Sequence, residues 1–407
     1  MIGNLDDVAN QKLNDYLGRV CASLRDKRRR ASFAMYAIGL LSEGERKSVE
    51  PIAGLLCGDP ELMRATHEKL LHFVGQAEWD DHAVRREAAR LGIEALERHA
   101  PVTAWIIDDT GFEKQGEHSV GVQRQYTGSA GKITNCQIGV SLSVANGSGH
   151  LPIDFELYLP EIWTMDPARR KEAKIPKDTV FQTKIDLALQ MIERAANNNV
   201  PGDIVLADGD YGKAPMFRET IRLHGLDYGV GIHSDTSIWC TDIRGRPVGG
   251  AMTVSELGRR LMHGGYRHVR WREGTQAWLS SRFCLRRVVI NQEDGDDPKE
   301  RHAVWLLIEW PEGEQVPTKF TLTTLPRRMG IKQIVRVLRE RWRTEQAYRE
   351  MKGELGLDHF EGRSFRGWHH HVSVVLCCYA FVVAERARRF SPSAFRARSD
   401  RPILRAA

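Results

Sequence analysis

The sequence predicts an α/β protein with an N-terminal helical segment and a β-rich insertion. Apolar residues recur at helical spacing through residues 1–98, and β-rich segments separated by glycines follow from residue 99. Strands then alternate with helices as far as residue 234, and this order favours one α/β sheet. The 407 residues are enough for two or three domains with a substantial core.

The N-terminal segment reads as helices that Gly58-Asp59-Pro60 interrupts. The flanking stretches, Ser48–Leu56 and Glu61–Val74, predict either an ordinary helical hairpin or a helix-turn-helix-like pair, and the pattern favours the hairpin. The basic cluster Lys27-Arg28-Arg29-Arg30 is interpreted as a solvated face, with a phosphate contact as the alternative.

The following elements are predicted from residue periodicity and glycine turns. Strands are expected over Val102–Asp109, Ser119–Tyr126, Cys136–Val144, Ile153–Leu159, Ile204–Asp208 and Asp227–Ile232, and helices over Thr179–Asn197, Ala214–Leu223, Ile331–Leu355 and Trp368–Arg388. The β-rich insertion, residues 235–325, contains the loop Asp294–Pro298 and Trp239, Trp271, Trp278, Trp305 and Trp310. These tryptophans are expected mainly in the core, and stacking on a flipped base is the alternative.

Charge and cysteine content narrow the class of protein. The net charge of +6 and the pI near 8.9 fit a polyanion partner without requiring one. The seven cysteines show no CxxC spacing, which is typical of reduced thiols and a cytoplasmic location. The acidic start is not a signal peptide, and the longest apolar run, Val372–Val383, is too short to span a bilayer, so no membrane is expected.

Three acidic residues carry the chemistry that the sequence predicts. Asp108 follows the apolar run Ala104–Ile107, and Asp208 follows Ile204–Ala207. A carboxylate at the end of a buried strand is costly unless a positive charge holds it. With Glu345 from the downstream helix, these residues indicate a divalent metal site, because Mg²⁺ takes oxygen ligands. In a basic chain, such a site suggests phosphoryl transfer on nucleic acid.

The predicted helix Ile331–Leu355 brings basic residues beside Glu345. At about 100° per residue, Arg341, Glu345 and Lys352 fall within about 40° of one another, on the flank of an apolar stripe, with Tyr348 beside them. Glu345 is therefore expected to face the buried edge. A structural ion pair with Arg341 at i, i+4 spacing is one interpretation; a metal ligand flanked by phosphate-binding residues is the other.

Ordered motifs across residues 40–385 resemble those of the DDE transposases of bacterial insertion sequences, and of the insertion-sequence 701 group in particular. Arg341-x3-Glu345-x6-Lys352 is similar to the Tyr-x2-Arg-x3-Glu-x6-Lys signature of the hairpin-forming branch. Leu338 stands at its tyrosine position, so Tyr348 is the alternative phosphate contact. The other matching stretches are Glu45–Ala53, Asp108–Phe112, Gly121–Tyr126, Glu156–Pro160, Asp208–Gly212 and Gly367–His371.

The resemblance implies a ribonuclease-H-like (retroviral-integrase-like) catalytic core. Its patterns Asp-x-Thr and Asp-x-x-Tyr select Asp108 over Asp109 and Asp208 over Asp210 as metal ligands and catalytic residues. It also implies two Mg²⁺ ions, for which Mn²⁺ could substitute, and DNA-phosphate contacts from Arg341, Lys352 and Tyr348. The three adjacent histidines, 369–371, cannot converge on one metal from a helix and are expected at a helix start near DNA.

The implied activity is cut-and-paste transposition of an insertion sequence by end nicking, hairpin formation and strand transfer. The partners are then duplex DNA, as terminal inverted repeats and target, and a second copy in a homodimeric synaptic complex in the bacterial nucleoid. A nuclease without strand transfer and a degenerate DNA-binding repressor remain alternatives. The predicted domains are an N-terminal helical DNA-binding domain (1–98), a catalytic core in two parts (99–234 and 326–390), the insertion (235–325) and a mobile basic tail (391–407).

Overall fold

A computed structural model describes residues 7–273, 278–291 and 302–389 of the chain. The predicted loop Asp294–Pro298 and the predicted tail 391–407 lie outside the described residues. The described part divides into two compact units. Unit 1 comprises residues 7–102, 108–191 and 342–389, and unit 2 comprises residues 103–107 and 192–341 without the two gaps.

The described elements alternate between helices and strands in a mixed α/β order. The helices are α1 (Asp7–Val20), α2 (Lys27–Leu41), α3 (Val49–Leu56), α4 (Pro60–Gly75), α5 (Asp81–Glu97), α6 (Glu161–Met165), α7 (Pro167–Glu172), α8 (Lys184–Asn197), α9 (Gly209–Gly212), α10 (Pro215–Leu223), α11 (Val254–Arg260), α12 (Ile331–Leu338), α13 (Trp342–Leu355) and α14 (Phe365–Arg389). The strands are β1 (Ala104–Glu113), β2 (Gln123–Thr127), β3 (Lys132–Ala145), β4 (His150–Tyr158), β5 (Ile204–Ala207), β6 (Asp227–Ile232), β7 (Ser237–Thr241), β8 (Pro247–Thr253), β9 (Arg267–Glu273), β10 (Trp278–Ile290), β11 (Val304–Pro311) and β12 (Lys319–Thr323).

The predicted interruption at residues 58–60 is confirmed as the start of helix α4. Asp59 caps this helix, because its Oδ1 accepts hydrogen bonds from the backbone N–H groups of Glu61 and Leu62 at 2.9 and 3.0 Å. Pro60 occupies the first helical turn, where its missing N–H costs nothing. The aspartate and the proline together therefore fix the break between α3 and α4.

Helix α14 is the centre of unit 1. It is long and apolar enough to cross a membrane by composition, but 94% of its most apolar window is buried against the rest of the chain, as in a core helix. It packs on α2, α4, α5 and β4, and the Tyr16 hydroxyl donates to the Cys377 carbonyl at 2.7 Å. The N-terminal helices therefore share one core with α14, and no boundary between compact units falls at residue 98.

Three buried histidines of unit 1, called here the neutral histidines, are His150, His370 and His371. Burial lowers the pKa of His150 to about 3 and those of His370 and His371 to about 4. His371 is fully buried, with the Tyr36 hydroxyl at 2.8 Å and the Gly356 carbonyl at 2.9 Å, and His370 stacks on Trp79. All three histidines at positions 369–371 are buried in the core, and the expectation that this helix start lies near DNA stays a prediction.

Strands β2, β3 and β4 of unit 1 form antiparallel pairs. Strand β3 pairs with β2, with Gln123 opposite Cys136, and with β4, with Ser141 opposite Phe155. The unit 1 part of β1 continues the order as β2-β3-β1. Apart from shifted ends, these are the predicted strands.

Unit 2 contains the parallel strands. The order is β1-β5-β6-β12-β11-β10-β7-β8, with β9 also on β10, and β1 contributes its first residues. The pairs β1–β5 and β5–β6 are parallel. The pairs β6–β12, β12–β11 and β11–β10 are antiparallel. The β-α-β prediction and the β-rich character of residues 235–325 are confirmed for the described residues.

Three tryptophans of the β-rich segment are partly buried beneath arginines. The guanidinium of Arg339 lies 4.7 Å from the ring centroid of Trp271, that of Arg282 lies 3.4 Å from Trp310, and that of Arg327 lies 5.8 Å from Trp305. Trp271 also packs on a core of buried residues, Val269, Phe283, Leu307 and Val335. The packing of Trp271 favours its interpretation as a core residue, whereas Trp305 and Trp310 are half-buried residues with arginine contacts.

The predicted continuous helix Ile331–Leu355 is wrong. Helix α12 ends at Leu338, residues Arg339–Arg341 form a 3₁₀ turn, and α13 begins at Trp342. The Arg339 side chain pairs with the buried Glu309 and lies over Trp271, which fixes it at the turn. Because the turn changes the angle per residue, Arg341 and Glu345 do not share one α-helical face.

Candidate active site

Strand β1 carries two adjacent aspartates with different surroundings in unit 1. Asp108 is 7% exposed, and its Oδ1 accepts a hydrogen bond from the Asp109 N–H at 2.9 Å. Asp109 points to the other face of the strand, where its Oδ2 lies 3.0 Å from the Lys184 ammonium. Asp109 therefore forms an ion pair with Lys184, and the carboxylate of Asp108 is buried on the other face of the strand.

Asp208 follows the last residue of β5 and caps the short helix α9 in unit 2. Its Oδ1 accepts hydrogen bonds from the N–H groups of Asp210 and Tyr211 at 3.0 and 3.4 Å. Asp210 is exposed and lies beside Lys213 and His233 at 3.4 and 3.7 Å. The backbone thus fixes the direction of the Asp208 carboxylate, while Asp210 belongs to a surface ion-pair group.

Glycines allow helix α9 to pack tightly on strand β6. A Cβ on Gly212 would lie 2.0 Å from the Gly231 carbonyl oxygen, and one on Gly231 would lie 2.8 Å from the Gly209 nitrogen. No side chain fits at such distances. The motif Asp208–Gly212 is therefore a geometric requirement, since the glycines hold the helix that Asp208 caps.

A cavity of about 330 Å³ in unit 2 contains Asp208. Its walls include Lys319, Arg339 and Arg341 as cations and the buried Glu309, which pairs with Arg339. The cavity thus joins a carboxylate at a strand end with several positive groups. Such a combination suits an anionic substrate that approaches Asp208.

In unit 1, helix α13 is anchored through polar side chains four residues apart. Thr344 Oγ1 lies 3.0 Å from His150 Nε2, and the Tyr348 hydroxyl lies 2.6 Å from Ser141 Oγ. Lys352, one turn further, donates to strand β1. A spacing of four residues brings the anchors onto one face, so the helix has a fixed rotation on the strands.

Lys352 contacts the strand that carries Asp108. Its ammonium donates to Thr110 Oγ1 at 3.0 Å and to the Gly111 carbonyl at 2.6 Å. Burial lowers the pKa of Lys352, and the carboxylates of Asp358 and Glu113 oppose that shift. Lys352 therefore fixes the residues that directly follow Asp108.

The expectation that Glu345 faces the buried edge is wrong, whereas the DNA-phosphate contact of Tyr348 stays a prediction. Tyr348 is 6% exposed, and its hydroxyl is hydrogen-bonded to Ser141, so the side chain packs in the core. Glu345 is exposed, whereas the continuous helix predicted that it faces the buried edge. The buried face of α13 carries Thr344, Ala347, Tyr348, Met351 and Leu355.

A group of potential metal ligands in unit 1 was not predicted from the sequence. The ligand atoms of His82, Asp154 and Glu156 all lie within 4.8 Å of one another. The guanidinium of the buried Arg85 lies 3.0 Å from Asp154 and 3.8 Å from Glu156, and it also pairs with Asp81 at 3.1 Å. Arg85 thus supplies the positive charge that these carboxylates need.

Burial and Arg85 both shift the pKa values of Asp81 and His82. Burial opposes ionisation of Asp81, but Arg85 and nearby histidines outweigh it, and the pKa of Asp81 is lowered. Burial and Arg85 both lower the pKa of His82. The group is therefore a salt-bridge network that ties helix α5 to strand β4.

The structure assigns the predicted site residues to different units. Asp108, Glu345, Tyr348 and Lys352 lie in unit 1, and Asp208 and Arg341 lie in unit 2. Sequence reasoning missed the positioning residues Ser141, His150 and Thr344. The four-residue spacing of Thr344, Tyr348 and Lys352 along one helix was a signal for Thr344 alone, whereas Ser141 and His150 left no signal in the sequence.

Two family models match ranges of the chain that contain the motifs around Asp108, Asp208 and Glu345. Residues 19–278 match a family model described as "DDE superfamily endonuclease", and residues 182–381 match one described as "Transposase DDE domain". The first range includes Asp108 and Asp208, and the second includes Asp208 and Glu345.

A curated relative agrees with the family matches. The chain is 26% identical over 211 residues to the "Probable transposase for insertion sequence element IS701" of Microchaete diplosiphon. That stretch is 52% of this chain and 50% of the relative, so the chain spans about half the length of the curated relative it matches. The resemblance stated from the motifs is confirmed.

Proposed function

The chain belongs to the DDE superfamily of endonucleases, and we propose that it is a DNA transposase of an insertion sequence. In this proposal, Asp108, Asp208 and Glu345 are its catalytic carboxylates on a ribonuclease-H-like core. The reaction is hydrolysis at the element's ends, attack of the freed 3′-hydroxyl on the opposite strand to form a hairpin, hydrolysis that reopens the hairpin, and attack of the regenerated 3′-hydroxyl on target DNA.

The register of two parallel strands is the main support. Strand β1 pairs with β5 in unit 2 through Ala104 opposite Ile204 and Ile106 opposite Leu206. Asp108 lies two residues beyond Ile106, and Asp208 lies two residues beyond Leu206. In this proposal the shared register brings both carboxylates to the same end of two parallel strands, as a shared cation requires.

The donor chemistry fits a hard divalent cation. All three side chains offer carboxylate oxygens, and backbone N–H groups fix one oxygen of Asp108 and one of Asp208 at 2.9 and 3.0 Å. Two Mg²⁺ ions would activate the attacking oxygen and stabilise the leaving one. Glu345, exposed on a helix whose opposite face is anchored, would complete the ligand set.

The chain's own cations would hold the DNA. Arg341 lines the cavity that contains Asp208 and would bind the phosphate beside the cut. A second cavity in unit 2, of about 400 Å³, is lined by Arg267, His268, Arg270 and Lys332. These exposed side chains would contact the backbone of duplex DNA away from the cut.

The experiment uses the full chain, Mg²⁺ and labelled duplexes that end in the element's terminal repeat. Asp108→Asn, Asp208→Asn and Glu345→Gln each remove a ligand and should abolish cleavage while they leave DNA binding intact. The neighbours provide matched controls, because Asp109→Asn and Asp210→Asn should keep cleavage. Cleavage that survives Asp108→Asn would show that Asp108 is not a catalytic ligand. Loss of cleavage in Asp210→Asn would show that Asp210 was wrongly excluded from the ligand set.

The products separate the alternatives. A nuclease without strand transfer would yield nicks but no joined target, and a degenerate repressor would bind ends without cutting them. A transposase yields nicks, hairpins and joined products. Two ends must be brought together for joining, so we expect two copies of the chain in the DNA complex, measurable by mass photometry.

A further inference from the structure

The turn between β7 and β8 in unit 2 exposes an isoleucine almost completely. Ile243 is 99% exposed at the tip of this hairpin, between Asp242 and Arg244. Single exposed apolar side chains are common on protein surfaces. The exposure of Ile243 therefore needs other observations before it indicates a function.

The backbone of this turn is fixed. Asp242 Oδ1 accepts hydrogen bonds from the N–H groups of Arg244 and Arg246, both at 2.9 Å, and Oδ2 accepts from Arg246 Nε at 2.8 Å. The Asp242 N–H donates to the Arg246 carbonyl at 2.9 Å, and Gly245 has a φ of +82°, which favours glycine. Ile243 is thus presented on a preorganised loop, which lowers the entropic cost of binding.

Positive charge surrounds the tip. Arg244 and Arg287 are exposed, and the side chain of Arg246, paired with Asp242, is 68% exposed. Arg287 lies against the turn, since a Cβ on Gly245 would be 3.3 Å from its Nη2. Three arginines against one aspartate favour a polyanion, and an exposed apolar tip beside them favours a polyanion with an apolar interior.

We propose that the β7–β8 turn is a DNA wedge, in which Ile243 inserts between adjacent base pairs while Arg244 and Arg287 contact the flanking phosphates. Duplex DNA is the partner that combines outer phosphates with stacked apolar bases. This inference rests on the proposed function, since that function makes DNA the partner. An anionic membrane shares the charge, but membrane affinity grows with buried apolar area, and one side chain offers little.

The test measures base unstacking with 2-aminopurine placed along a terminal-repeat duplex. The wild-type chain should raise the fluorescence at one base step, and Ile243→Ser should lose that rise while the salt slope of binding stays unchanged. Arg244→Gln should lower the salt slope by about 0.9. Met165→Ser, at an apolar residue that is 71% exposed elsewhere, is the matched control and should behave as wild type.

The loop geometry has its own test. Asp242→Ala removes all side-chain acceptors and should reduce the fluorescence rise although Ile243 is present. Asp242→Asn keeps an oxygen for the two N–H donors and should restore most of it. If Asp242 only stabilised the fold, the Asp242→Ala and Asp242→Asn variants would not differ in the fluorescence of the probed base.

The outcomes separate this inference from the proposed function. If the chain cleaves ends but Ile243→Ser keeps the full fluorescence rise, the wedge is refuted and the transposase stands. If the rise depends on Ile243 but no cleavage occurs, the wedge stands and the proposed function fails. Ile243-dependent sedimentation with phosphatidylserine vesicles, without any unstacking of DNA, would assign the tip to a membrane and overturn the proposal.

Discussion

Replacing Lys352 with methionine removes an ammonium but keeps the apolar stem of the side chain. The ammonium donates to Thr110 Oγ1 at 3.0 Å and to the Gly111 carbonyl at 2.6 Å, and Thr110 is 2% exposed. Hydrogen bonds from charged groups contribute about 1.5–3 kcal/mol each, and burial of the ammonium offsets part of that gain. We therefore expect Lys352→Met to lower the free energy of unfolding by about 2–4 kcal/mol.

The assay combines urea unfolding with salt-dependent DNA binding. Lys352→Met should unfold at lower urea, and its salt slope of end binding should match wild type, because its ammonium is occupied by strand β1. Lys332→Met is the matched control. This exposed lysine lines the basic cavity, so its loss should lower the salt slope by about 0.9 and change stability by less than about 0.5 kcal/mol.

One result would refute this reasoning. If Lys352→Met unfolds as wild type does and its salt slope falls by about 0.9, Lys352 contacts a phosphate when DNA is bound. The role implied by the family signature would then be correct, and the contacts with Thr110 and Gly111 would be incidental.

Two further predictions concern pH and a glycine. The neutral histidines have a pKa of about 3 or about 4 in the folded chain, well below the unfolded value of about 6.5, so the unfolded state binds more protons between these values. Their contribution to the free energy of unfolding is complete above pH about 6.5 and falls as the pH drops. At pH about 5.5 the three histidines together have lost on the order of 4 kcal/mol of this contribution. Equal urea midpoints above pH about 6.5 and at pH about 5.5 would contradict this prediction. Gly212→Ala places a Cβ 2.0 Å from the Gly231 carbonyl oxygen. It should lower the free energy of unfolding by about 3 kcal/mol and displace Asp208 enough to stop cleavage. Gly18→Ala, where nothing lies within 4 Å, is the control, and a fully active Gly212→Ala chain would show that α9 can shift freely.

Local pattern predicted much of the fold because periodicity and turn residues act over short distances. Strand β6 has its predicted bounds, and β5 differs from prediction at one end, where Asp208 becomes a helix cap. The apolar alternation of such segments depends only on neighbours in sequence. Their order along the chain then limits the sheet to few topologies.

The helix through residue 345 shows where local pattern fails. Apolar residues at helical spacing flank residues 339–341, at Leu338 and Trp342, so the sequence gives no local sign of a break. The turn instead follows from tertiary contacts of Arg339 with Glu309 and Trp271, which lie far away in sequence. The exposure of Glu345 and the burial of Tyr348 follow from that break.

For the candidate site, the sequence predicts residue types but not their contacts. The family pattern sets Asp109 and Asp210 aside as ligands, and these two residues form ion pairs with Lys184 and Lys213. Hydrogen bonds that position a site, such as Ser141 with Tyr348, join distant segments and leave no periodic signal.

The division into two compact units has a practical consequence for dissecting this chain. The polypeptide passes between the units after residues 102, 107, 191 and 341, so neither unit is a continuous stretch. Shortening the chain from either end would remove strands or helices from a unit whose remaining pieces are encoded elsewhere. Biochemical separation of the functions of this protein must therefore proceed by single substitutions in the intact polypeptide.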